Sequence, residues 1–123
     1  MKVLFDEKGF TLIEILIATV IITVASLGIA NLTIGIIRGN SYSQRLTTAT
    51  TLAQDRLEQI KRIGYQNAGT VVGTENYGDI ANYSGYKRVT SMEDMPPTMR
   101  IMTVKVYRIG SDKSIDLSTI LAE

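Results

Sequence analysis

Neither cysteine nor histidine occurs among the 123 residues. No disulfide can form, and the common zinc and c-type haem ligand sets are excluded. The missing thiols leave the compartment open, because an oxidising space permits disulfides without requiring them. A nucleophile or general base would have to come from Lys, Asp or Glu alone. The acidic pairs Asp112/Asp116 and Glu93/Asp94 each share a hairpin or turn. Solvation of those turns is the simpler reading and a weak cation site the alternative. No glycine-rich phosphate loop stands between a strand and a helix. No cofactor and no enzyme activity are therefore expected. Thirteen basic residues against twelve acidic ones, with no long basic block, give no charge signal for nucleic acid.

Proline is confined to Pro96 and Pro97, and formal charge is almost absent from Phe10 to Ile37, where Glu14 is the one ionisable side chain. At about 1.5 Å per residue that apolar run makes a helix of about 42 Å, more than the roughly 30 Å of a hydrocarbon core. Any single-pass anchor has this form. A secretory signal peptide fits less well, since its apolar region spans only about 7–15 residues and ends at a small-residue cleavage site. Here the small residue, Gly9, precedes the run. Cutting there would remove a short leader and keep the hydrophobic helix. A carboxylate in hydrocarbon costs roughly 2.5–3.5 kcal/mol, so Glu14 calls for a cation or for snorkelling to the interface.

Gly9-Phe10-Thr11-Leu12-Ile13-Glu14, at fixed spacing ahead of a long apolar helix, resembles the type IV prepilin class, which includes type IV pilins and the pseudopilins of type II secretion systems. The resemblance implies cleavage after Gly9 by a prepilin peptidase at the cytoplasmic membrane face. It implies N-methylation of Phe10 as the new N-terminus, and pairing of Glu14 with the Phe10 amine of a neighbouring subunit. Implied partners are the prepilin peptidase/methyltransferase, other pilins or pseudopilins in a helical filament, and an inner-membrane assembly platform. The leader carries Lys2 and Lys8 against Asp6 and Glu7, a weak positive-inside signal. Many major pilins have a C-terminal disulfide and a proline within the long helix, and this chain has neither.

Beyond the run, Leu46, Ala49, Leu52, Ala53, Leu57, Ile60 and Ile63 recur at three and four residues, the stripe of an amphipathic helix. Gly64 closes the pattern as a C′ residue, with Lys61 and Arg62 suited to the helix's negative end. Gly28, Gly35 and Gly39 are either hinges or, at the GxxxG spacing of the last two, sites of close helix packing. The segment from Leu52 to Lys61 resembles minor pilins of the V type and I-class minor pseudopilins.

After Gly64 the residues from Tyr65 to Tyr83 read as a connection, with a short extended piece at Thr70–Val72. Tyr65, Tyr77, Tyr83 and Tyr86 either cover a small sheet or form a binding surface. Three strands are expected: Tyr86–Ser91 leading into turn residues Met92–Thr98, then Arg100–Ile109, then Ser114–Ala122 after a Gly110–Lys113 hairpin loop. On the middle strand Met102, Val104, Val106 and Arg108 share one face. The Asp116-Leu117-Ser118-Thr119 ending is similar to that of some minor pilins.

The expected fold is α+β, a long N-terminal helical spine packed against a small antiparallel sheet, pilin-like. Its parts are a leader (1–9), a transmembrane and filament-core helix (10–37), an amphipathic continuation (38–64) and a β-rich periplasmic head (65–123). About 85 residues outside the run make a small core, so the head should lean on the spine. The function expected is a minor pilin of a type IV pilus, held in the inner membrane with a cytoplasmic N-terminus and then assembled. A minor pseudopilin of type II secretion is the alternative. Two further readings are an uncleaved signal-anchored periplasmic binding protein and a DNA-uptake pilin using Arg88, Arg100, Lys105 and Arg108.

Overall fold

The computed structural model describes residues 9–123. Residues 1–8, the charged part of the expected leader, lie outside the described residues. A single helix, α1, spans Leu12–Asn67, and its backbone leaves helical geometry only at Gly64, with φ 76° and ψ 177°. That conformation is open to glycine and strained for other residues. Gly64 thus breaks the helix where the stripe ends, as expected. The chain nevertheless resumes helical geometry to Asn67 and then makes a 3₁₀ turn, Ala68–Val71.

Packing divides the chain into two compact units, Met1–Ser41 and Tyr42–Glu123. Among the described residues of the first, the large apolar side chains are all substantially exposed, from Leu12 at 86% to Ile34 at 48%. Four of its hydroxyls are satisfied within the helix. Thr19 donates to the Leu16 carbonyl, Thr23 to Thr19, Ser26 to Ile22 and Thr33 to Ile29, at 2.7–2.9 Å. A helix in hydrocarbon has no water to serve these groups, and back-bonding supplies the acceptor locally.

The second unit holds a four-stranded antiparallel sheet in the order β1-β2-β3-β4: β1 Gly73–Glu75, β2 Tyr86–Met95, β3 Met99–Arg108 and β4 Ser114–Ala122. The sequence reading had three strands, and β1 is the addition. Of the extended piece expected at Thr70–Val72, Thr70 and Val71 lie in the 3₁₀ turn, Val72 is extended, and strand pairing begins at Gly73. There Gly73 lies opposite Thr90, and Glu75 opposite Arg88. β2 also runs four residues past Ser91, because the turn is confined to Pro96, Pro97 and Thr98, between the paired Met95 and Met99.

β3 alternates as expected. Met102, Val104 and Val106 are buried to 1% exposure or less. They form one core with Ala49, Leu52, Ala53, Leu57 and Ile60 of α1, together with Ala68 and Ile80. Burying each large side chain contributes about 1.5–3 kcal/mol. β4 adds Ile115, Leu117 and Leu121 to the same face, while Lys105 and Asp116 meet on the other at 3.5 Å. The first member of the stripe, Leu46, stays 42% exposed. The fold is α+β and pilin-like.

Candidate processing and assembly site

The helix start at Thr11-Leu12-Ile13-Glu14 is a reciprocal cap. The Glu14 backbone N–H donates to Thr11 Oγ1 at 3.3 Å, and the Thr11 N–H donates to Glu14 Oε2 at 3.4 Å. The Thr11 N–H thereby gains an acceptor, and the Glu14 N–H adds the Thr11 hydroxyl to its 3.1 Å bond with the Thr11 carbonyl. The same carboxylate, in the first turn of α1, faces the positive end of the macrodipole, which favours it by about 0.3–1 kcal/mol. Weighing Glu14 only as a charge in the run overlooked this role, although the S/T-x-x-E spacing that announces it is in the sequence.

Gly9 and Phe10 lie ahead of the helix, and Phe10 is 80% exposed. A Cβ added to Gly9 would meet nothing within 4 Å. Nothing among the described residues therefore requires glycine at that position, and a requirement would come from an enzyme that binds the segment. Cβ atoms at Gly28, Gly35 and Gly39 would likewise meet open space, and all three hold helical geometry. The structure thus places Gly9, Phe10 and Glu14 together at the start of the exposed apolar helix and leaves the three helix glycines unpartnered within the described residues.

In the head, a cluster of charged residues joins α1, β1 and β2. Glu75 accepts from Arg88 Nε at 2.5 Å and Nη2 at 2.9 Å, and also from Arg56 Nη2. Arg88 Nη1 reaches the Leu52 carbonyl at 3.0 Å. The forked bonds from Arg88 lead, and with Arg56 they overcome the cost of burial and hold the Glu75 carboxyl down at about 2. This cluster ties the three-residue β1 to α1 and β2. It spans positions 56, 75 and 88, a separation that no local pattern announces. Arg56 Nε is buried without a partner among the described residues.

Arg88, Arg100, Lys105 and Arg108, the cations weighed for DNA, do not form one patch. Arg88 is taken by Glu75, and Lys105 faces Asp116 on the other side of the sheet. Arg100 pairs with Asp94, donates to the Tyr65 carbonyl at 2.7 Å and lies over the Tyr65 ring at 4.3 Å. Tyr65 and Tyr86 accordingly pack on the head, the latter edge-on to Tyr83. Among the described residues no group of three or more acidic side chains is placed to hold a metal ion.

Residues 4–30 match the family model of the prokaryotic N-terminal methylation motif. No curated protein and no solved structure matches the chain. The motif implies processing by prepilin peptidase and assembly with other pilins, and the apolar helix behind it supports membrane anchoring. A methylation motif that runs into a capped, exposed apolar helix, ahead of an amphipathic helix packed on an antiparallel sheet, supports a type IV prepilin-family protein.

Proposed function

We propose that the chain is a minor pilin, a structural subunit of a type IV pilus. The observation that carries this reading is Glu14 at the capped start of an apolar helix whose large side chains find no cover in their own unit. Hydrolysis of the Gly9–Phe10 peptide bond frees the Phe10 amine, which is then methylated. That cation is created at the positive end of a helix, where it is disfavoured. A carboxylate of another subunit relieves it, and Glu14 in hydrocarbon gains a counter-ion in the same contact. Mutual pairing sets the register of neighbouring helices, and their apolar flanks exchange lipid for one another. Gly35 and Gly39 then admit a close helix neighbour. The N-terminus lies on the cytoplasmic side before assembly and the head on the periplasmic side.

The Leu52–Lys61 stretch supports a second reading, a minor pseudopilin of type II secretion. Deleting the gene in the native host separates the two. Loss of surface pili with normal export supports the pilus, and loss of export with intact pili supports the secretion system.

A further inference from the structure

A cavity of about 120 Å³ opens on the head beside the first turns of its helical segment. Its floor is apolar, built by Ala49, Val106 and Ile115, and three cations, Arg45, Arg108 and Lys113, line it. No acidic side chain contributes to the lining, and none of the three cations has a carboxylate partner among the described residues. That sets them apart from Arg56, Arg88 and Arg100, each of which is paired. Tyr42 and Tyr86 complete the wall, and the Tyr86 hydroxyl reaches the Arg45 carbonyl at 3.4 Å.

Strand register places three acidic residues and the cavity at opposite ends of the head, with Arg100 beside Asp94 at the first end and Asp112 next to Lys113 in the loop at the second. Glu93, Asp94 and Glu123 gather at the β2–β3 turn, where the Glu123 N–H donates to the Thr98 carbonyl. The cavity lies at the opposite end, with Arg108 at the end of β3 and Lys113 in the loop before β4. The chain also enters the head at this end. Tyr42 follows Ile37 by five residues, so by chain reach alone it lies within about 18 Å of the end of the apolar run. Tyrosines and unpaired cations at that distance from a hydrocarbon span are the composition of a membrane–water interface.

We propose that this cavity holds the phosphate of an anionic phospholipid in the leaflet on the head's side, with Arg45, Arg108 and Lys113 as its donors. The proposal rests on the membrane-span reading of residues 10–37. Before assembly, such a contact would hold the head against the bilayer and would have to be released on extraction.

The test uses the full chain, isotope-labelled, in nanodiscs of phosphatidylcholine with and without phosphatidylglycerol, read by NMR at the Arg45 and Arg108 side-chain N–H groups. Amides of the Met95–Met99 turn serve as the remote control. Phosphatidylglycerol should shift the cavity signals and leave the turn unmoved, while inorganic phosphate added to pure phosphatidylcholine discs should do neither. Each charge removed, in Arg45→Gln, Arg108→Gln or Lys113→Gln, should weaken the preference for phosphatidylglycerol about five-fold. Retained dispersion of the β4 amides would show that these variants fold. A chain that enters the discs but responds alike to both lipids, or responds to free phosphate, overturns the headgroup proposal alone. Cavity shifts that arise only when copies assemble would give the site to an acidic group of a second copy and also overturn it. A chain that does not enter the discs overturns the membrane-span reading and this proposal with it.

Discussion

Thr11 and Glu14 cap one another, each backbone N–H donating to the other's side-chain oxygen at 3.3–3.4 Å. In the filament proposed above, Glu14 carries two separable duties, closing its own helix and pairing with a neighbour's amine. Thr11→Ala removes half of the cap and no charge, at a cost of about 1 kcal/mol. Glu14→Ala removes the counter-ion, and breaking a buried pair costs about 3–5 kcal/mol. Both variants should be processed normally. Sheared-filament yield should fall only a few-fold for Thr11→Ala and at least a hundred-fold for Glu14→Ala. Equal losses would leave capping as Glu14's whole role.

Gly9→Val tests the segment ahead of the helix. The folded chain has room for a side chain there, so stability and membrane insertion should not change. A peptidase that grips the segment closely would reject the branched residue, and immunoblots should show the full-length chain accumulating. Normal processing of this variant would count against cleavage after Gly9.

Glu75 makes the head acid-sensitive. Its pKa is lowered from 4.5 to about 2 in the folded chain. The stabilisation is present above the unfolded value, about 4.5, and is lost as the pH falls through the folded value, about 2. Glu75→Gln should cost about 1–2 kcal/mol at neutral pH, less than the shift alone implies because the carboxylate is partly solvated. The variant's midpoint in urea should also lose much of its dependence on pH between about 4.5 and 2. An unchanged acid profile would show that another carboxylate governs it.

Gly64→Ala puts a Cβ on a backbone at φ 76°, ψ 177°. The strain should cost about 1–3 kcal/mol, although the added methyl meets no neighbour within 4 Å. Thermal unfolding of the purified chain measures it. A neutral result would mean that the chain follows a different path between Ile63 and Tyr65.

The legible parts of this fold are those in which periodicity and burial coincide. Leu52, Leu57 and Ile60 are buried because helical spacing keeps them on one face, and Met102, Val104 and Val106 because a strand's period of two does the same. Gly64 was legible because it interrupts the first of these patterns. β1 was not, because Gly73-Thr74-Glu75 is too short to show a period and owes its place to Arg56 and Arg88. The end of β2 was misjudged because Asp94 and Met95 look like turn residues, while Pro96 is where pairing stops. At the N-terminus, the fixed spacing singles out Gly9, Phe10 and Glu14, whose roles in cleavage, methylation and pairing belong to the proposal. Thr11 was missed because its contribution is a backbone cap rather than a charge.

The central claim is that the chain is a processed filament subunit, and intact mass with N-terminal sequencing of the protein from its native membrane tests it most directly. The account predicts a chain that begins at Phe10 and is one methyl group heavier than residues 10–123. A chain that retains residues 1–9 would contradict it and leave a single-pass anchored protein.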